Sequence, residues 1–129
     1  MDRFLSQASL AIACGFAFVV IGPPGRAANI DHGKELFSAN CTVCHNADKG
    51  GPNKLGPNLY GVVGRPAASL ASFAYSSAMK SSGITWTPDR LSAYLAGPQK
   101  MVPGIRMTFA GFRNPSDAQD VVGYLATLK

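Results

Sequence analysis

The sequence predicts an all-α domain in which three to four short helices are joined by long loops. Three observations point there. Apolar residues recur at helical spacing in only a few segments, and strong start signals mark two of these. No segment shows the apolar–polar alternation of a strand, and glycine and proline punctuate the long stretches in between. A chain of 129 residues with this pattern makes one domain at most.

Residues 1–28 differ from the remainder. Arg3 precedes an uncharged run from Ala8 to Ile21, followed by Gly22-Pro23-Pro24-Gly25-Arg26-Ala27-Ala28. The run is 14 residues, within the signal-peptide range and short of the ~20 that span a bilayer. Gly25 and Ala27 supply small residues at −3 and −1 for cleavage after Ala27, whereas cleavage after Ala28 would put Arg26 at −3. Asp2 offsets Arg3, so an uncleaved anchor remains the alternative. The expected division is a leader over 1–28 and a domain over 29–129. Cys14 lies inside the apolar run and is expected to leave with it as a small hydrophobe.

In the domain, Ile30, Gly33, Leu36 and Phe37 recur at three and four residues, which predicts a helix from Ile30 to Asn40. The stretch Ala47 to Ser72 reads as loop, with Gly50-Gly51-Pro52, Gly56-Pro57 and Gly61 as breaks. Thr87-Pro88 starts a helix with an N-cap and a first-turn proline. Leu91, Tyr94 and Leu95 share one face of it, and Gly97-Pro98 ends it. Asn114-Pro115 repeats the start signal, with Asp117 in the first turn. Ala118, Val121, Val122, Leu125 and Leu128 then form the apolar stripe of a C-terminal helix.

The first of these helices runs into Cys41-Thr42-Val43-Cys44-His45. Two thiols separated by two residues can each add across a vinyl group of haem, and the adjacent imidazole can bind the iron; this is the c-type attachment pattern. A short disulfide is the competing fate in an oxidising compartment, and His45 argues for haem. The loop content agrees. About 100 residues with so little helix would have a thin core, and long connections in a compact domain often mark functional wrapping. The apolar faces of a haem give such loops something to pack against.

An iron bound by His45 needs a sixth ligand or an open site. His32, on the helix before the motif, is a poor candidate and is expected to face solvent. Met79, Met101 and Met107 remain, and methionine is ordinarily core filler. Met107 follows the turn at Pro103-Gly104, which can present it inward. Loss of Arg3, Arg26 and Asp2 with the leader leaves 10 basic and 6 acidic residues, a net of +4. No basic run with interleaved aromatics suggests nucleic acid. The surplus suits a soluble surface, or a cationic face steering an acidic partner.

From Gly33 to Leu125 the chain resembles the class I c-type cytochromes, similar to mitochondrial cytochrome c and the bacterial cytochrome c2 group. The matching stretches are Gly33-Lys34-Glu35-Leu36-Phe37, Cys41 to His45, Lys54 to Gly61, Gly64-Arg65, Phe73-Ala74-Tyr75 and Gly83-Ile84-Thr85-Trp86. They continue through Tyr94-Leu95, Pro98, Val102 to Gly111 and Tyr124-Leu125. The resemblance implies the cytochrome c fold around one haem c, attached covalently through Cys41 and Cys44. It implies His45 and Met107 as iron ligands and the Pro57 carbonyl as acceptor for the free N–H of His45. Arg65, Tyr75 and Trp86 match residues that hold the propionates, Tyr94 the tyrosine beside the methionine sulfur, and Phe109 the aromatic at the haem edge. Gly33, Phe37, Tyr124 and Leu125 match the crossing of the terminal helices.

Two departures are visible. Met79 and Ile105 stand where the mitochondrial pattern has asparagine and threonine, so the polar network near the propionates is expected to be drier. Asn40 and Gln99 stand where lysine is common, which thins the cationic ring, while Lys54, Lys100 and Arg106 remain. With both axial positions filled no site is open to substrate, so the resemblance implies an electron carrier and not an enzyme. Methionine ligation and burial raise its potential. The expected protein is a soluble monomer exported to the bacterial periplasm, passing electrons between periplasmic or membrane redox complexes. The alternatives are a haem-dependent enzyme or ligand sensor with a labile sixth ligand, a haem-free dithiol module, and a membrane-anchored carrier.

Overall fold

The computed structural model describes residues 25–129; the apolar run of the expected leader lies outside them. Five helices form there: α1 (Ile30–Asn40), α2 (Ser77–Lys80), α3 (Pro88–Ala96), α4 (Pro98–Met101) and α5 (Pro115–Ala126). Four of them start behind a side chain that accepts a first-turn N–H: Asn29, Ser76, Thr87 and Asn114. Such caps are each worth about 1 kcal/mol. Asp31, Asp89 and Asp117 add negative charge to the positive ends of α1, α3 and α5. The single turns α2 and α4 bring the number above the three to four expected. They are too short to carry a helical period, and Pro98, expected only to stop α3, also opens α4.

No strand is present among the described residues; one isolated antiparallel bridge joins Pro66 and Thr85. Around it, Gly64 N–H donates to Trp86 O, Trp86 N–H to Arg65 O and Ala67 N–H to Ile84 O. This clamp fixes the loop after Gly61 against the approach to α3. No helix among the described residues is long and apolar enough to cross a membrane.

The frame is α1 crossing α5, with α3 packed on the same helix. Phe37 from α1, Leu91, Tyr94 and Leu95 from α3, and Val121, Val122 and Leu125 from α5 are buried together. The Phe37 and Tyr124 rings lie 5.5 Å apart. Gly33 sets how closely the helices cross: a Cβ there would fall 2.0 Å from the Asp120 backbone oxygen. No side chain fits that gap, so the close approach depends on glycine.

Beside the crossing lies Asp120, whose residue is 0% exposed. Arg26 Nη1 and Nη2 donate to its two carboxylate oxygens at 2.8 and 3.1 Å, and Asn29 N–H donates at 2.8 Å. His32 Nδ1 approaches the second oxygen at 2.9 Å. Hydrogen bonding to Arg26 foremost, with His32 and Asn29 also contributing, holds the Asp120 carboxyl well below the usual carboxylate range. His32 therefore does not simply face solvent. Its side chain is 42% exposed and bridges α1 to α5. Arg26, which cleavage after Ala27 would remove, is likewise tied to the C-terminal helix.

Candidate functional site

The end of α1 builds the cysteine–histidine turn. Cys41 caps the helix and donates its N–H to Phe37 O, after which the N–H groups of Cys44 and His45 both donate to Cys41 O, at 3.0 and 2.8 Å. Thr42 Oγ1 donates back to Ser38 O. One tight turn thus brings two thiols and an imidazole together. The thiols are half-buried and unjoined. Burial, and secondarily the neighbouring Cys44, pushes the Cys41 thiol up to about 11, so it stays protonated at neutral pH.

His45 is oriented from behind. Its Nδ1–H donates to Pro57 O at 2.8 Å, and that assignment leaves Nε2 with a free lone pair on the other side of the ring. Burial lowers the imidazole pKa against the opposing pull of that carbonyl, while the Lys54 charge lowers it further. The ring is therefore neutral at pH 7, the form that binds a metal. Gly56 makes room for it, since a Cβ there would sit 2.2 Å from His45 Cε1. The Gly56 N–H donates to Cys44 O, and Lys54 Nζ donates to Thr42 O, which sews the 54–57 loop onto the cysteine turn.

Buried Asn58, next after Pro57, knits the following loop. Its side-chain amide donates to Asp48 O and Gly51 O and accepts from Tyr60 N–H. Arg65 then reaches back to Tyr60 O and Asn58 O. Its guanidinium is partly buried and pairs with no carboxylate among the described residues. Desolvation lowers its pKa, offset by nearby Tyr75. Tyr75 OH accepts from Leu70 N–H at 3.4 Å, and its ring meets Phe73 edge-on. Trp86 is buried against Tyr94, the ring centres 4.8 Å apart. A cation held by carbonyls alone is a ready partner for an anionic group.

Across the molecule, Met107 lies on the loop after α4, with the buried Val102 and Ile105 before it. Tyr94 OH donates to Met107 Sδ at 3.4 Å. Burial pushes the Tyr94 hydroxyl up to about 12, so this donor keeps its proton at any ordinary pH. Arg106 donates to Ala74 O and anchors the loop to the segment before α2. Phe109 packs edge-on against Phe112, the ring centres 5.0 Å apart. Met79 is half-buried in the core, its sulfur near Ser82 Oγ, and Met101 also packs there.

These donors suit a flat, largely apolar group carrying a metal. No three His, Cys, Asp or Glu side chains converge among the described residues, so the imidazole and the thioether stand as separate donors there. One imidazole nitrogen and one thioether could complete the binding of a metal only where another group already holds it. A porphyrin does so. Two thiols beside the imidazole can hold it, and Arg65 can meet its carboxylates. Two residues with long-range partners, one at the helix crossing and one at this site, carry no local signal in the sequence. Asp120 is hidden within the stripe of α5, and Gln99, noticed only as an absent lysine, makes contacts that no local pattern announces.

The cytochrome c family model matches residues 30–129. A cytochrome c homologue of Rickettsia felis is 47% identical over 102 residues, covering 79% of this chain and 58% of that protein. The chain thus spans less than two thirds of that relative. Cytochrome c2 of Rhodopila globiformis is 47% identical over 107 residues, covering 83% of this chain and 97% of the relative. Among solved structures, cytochrome cH from Methylobacterium extorquens superposes with a TM-score of 0.71 at 40% identity, covering 78% of this chain and 99% of that one. With the family model covering all five helices and both halves of the site, this chain belongs to the cytochrome c family.

Proposed function

We propose that this chain is a single-haem electron carrier in which His45 and Met107 bind the iron from opposite faces. Haem c, the covalently attached cofactor of the family, supplies reversible one-electron chemistry at iron. Cys41 and Cys44 hold it as thioethers. The observation that carries the reading is the pairing of two oriented donors. His45 is locked by Pro57 O with Nε2 unprotonated, and Met107 Sδ is held by the Tyr94 hydroxyl.

Each protein group has a part in that work. Pro57 O keeps the imidazole turned and basic. The methionine sulfur is a soft donor that favours reduced iron, and the Tyr94 hydrogen bond withdraws electron density from it, which favours reduction further. Arg65, Tyr75 and Trp86 would hold the propionates, with Arg65 offsetting their charge, and Phe109 would lie at the haem edge. With His45 and Met107 both holding the iron, no position would be left for substrate, which would separate a carrier from an enzyme or ligand sensor. The chain is exported, works in the periplasm as a monomer, and exchanges electrons with redox proteins through a modestly cationic face.

Mass spectrometry of protein matured with haem-attachment machinery tests this first, with an intact mass raised by one haem. The oxidised protein should also show the weak long-wavelength charge-transfer band of iron–methionine bonding. Met107→Ala should lose that band and take up added imidazole. A wild-type protein without the band would overturn the ligand pair.

A further inference from the structure

We infer that Gln99 is a positioning residue for the sixth iron ligand, stapling the backbone on both sides of the Met107 side chain; this rests on Met107 being that ligand. Gln99 Nε2 lies 2.8 Å from Ile105 O and 3.0 Å from Met107 O. Both acceptors are main-chain carbonyls, so only the amide's nitrogen end can face them, and its two N–H groups are fully used. One side chain therefore holds two carbonyls two residues apart, with Met107 inside the clamp.

The anchor behind the amide is firm. Gln99 lies on α4, and Pro98 before it is fully buried. The single turn of α4 thus fixes where the amide starts, and the two carbonyls fix where it ends. Arg106 ties the same loop to Ala74 O from the other side. For Met107 to leave the iron, its loop must move, and the Gln99 bonds must break in that movement. The staple therefore sets how readily the sixth position opens, the property that divides an electron carrier from a ligand-binding haem protein. A lysine at this position would present a flexible point charge, whereas the amide offers two directed donors.

The test uses oxidised holoprotein with imidazole as probe. At saturating imidazole the rate of binding levels off at the rate of Met107 departure. Gln99→Leu removes both donors at similar size, and Gln99→Glu puts a carboxylate against the two carbonyls. Each should raise the plateau rate about tenfold, the loss of one part-buried and one exposed hydrogen bond. The charge-transfer band should stay close to wild type, and the denaturation midpoint should fall by no more than the loss of these two bonds explains, because Gln99 is exposed and adds nothing to the core. Lys100→Ala, one residue on, should leave the plateau unchanged. Wild-type plateau rates in both Gln99 variants would overturn the staple. A wild-type protein that lacks the charge-transfer band would instead overturn Met107 as ligand, and the staple with it.

Discussion

The two halves of this molecule satisfy their residues in different ways. At the α1–α5 crossing every demand is met within the chain: Phe37 packs on Tyr124, Gly33 admits the Asp120 backbone, and the Asp120 carboxylate collects Arg26, Asn29 and His32. Around His45 and Met107 the chain prepares groups and leaves their outer ends open. His45 is fixed at Nδ1 and free at Nε2, the Cys41 and Cys44 thiols are unjoined, and among the described residues Arg65 is held only by carbonyls. One half is finished by folding and the other by its cofactor. Substitutions in the first should therefore change stability, and substitutions in the second should change iron chemistry.

The strongest way to break that division is at Gly33. A Gly33→Leu side chain has no space against the α5 backbone, so the helices must separate. The cost should reach at least about 3 kcal/mol, a large part of the 5–15 kcal/mol that holds a typical domain together. Chemical denaturation of the holoprotein would show it as a lowered midpoint. Whatever folded protein remains should keep its iron–methionine band; loss of the band in a still-folded variant would show that the halves are not separable.

Asp120→Asn is a smaller blow to the same half. It keeps the shape but removes the charge that faces Arg26 and His32, at a cost of about 1–3 kcal/mol near neutral pH. The difference should depend on pH. The folded state holds this carboxyl below its ordinary value of 3.8, so the unfolded chain takes up the proton first. Stability from Asp120 is thus complete above that value and is lost as pH falls through the lower folded pKa. Denaturation of both proteins from pH 7 down to pH 3 should show the gap narrowing only at the acid end. A gap constant across that range would assign the effect to packing.

Much of the finished half was legible in the sequence, because its signals are local. Asn29, Thr87-Pro88 and Asn114-Pro115 mark the starts of α1, α3 and α5, and the apolar spacing marks their faces. What escaped was long-range. His32 reads as a solvent-facing residue until Asp120, 88 positions away, is folded against it. The single turns α2 and α4 are shorter than the period that would announce them. At the site, Cys41 to His45 is a local pattern and was plain. Met107 was not separable from Met79 and Met101 on spacing alone; resemblance singled it out, and the fold sets it beneath the Tyr94 hydroxyl. Gln99 looked like a missing charge, since the carbonyls it holds come close only when the loop folds back.

In the half around His45 and Met107, Tyr94→Phe should leave stability nearly unchanged and move the potential. Without the hydroxyl the sulfur donates more freely to iron, which favours the oxidised state. The loss of one hydrogen bond corresponds to a fall of about 30 mV for a one-electron couple. Redox titration of wild type and variant would measure it, and an unchanged or raised potential would remove Tyr94 from the tuning of the iron.

The smallest effect belongs to the surface beside the cysteine turn. Val43 is 76% exposed and Leu55 81%, and the Gly56–Cys44 hydrogen bond brings the loop carrying Leu55 beside the cysteine turn. Two bare aliphatic side chains thus lie where a closer ring of lysines would make the approach to the haem more cationic. Leu55→Lys adds one charge there without touching the core, so stability should hold within about 0.5 kcal/mol. The potential should hardly move, because an exposed charge is screened within about 10 Å at 0.1 M salt. Encounter with a charged reagent is more sensitive, because it samples the local field before contact. Oxidation of the reduced protein by ferricyanide, a small anion, should speed up by about twofold at low salt and return to the wild-type rate as salt is raised. An increase that survives high salt would come from altered iron chemistry and blur the boundary between the two halves. No increase at low salt would place the route of electron exchange away from Leu55.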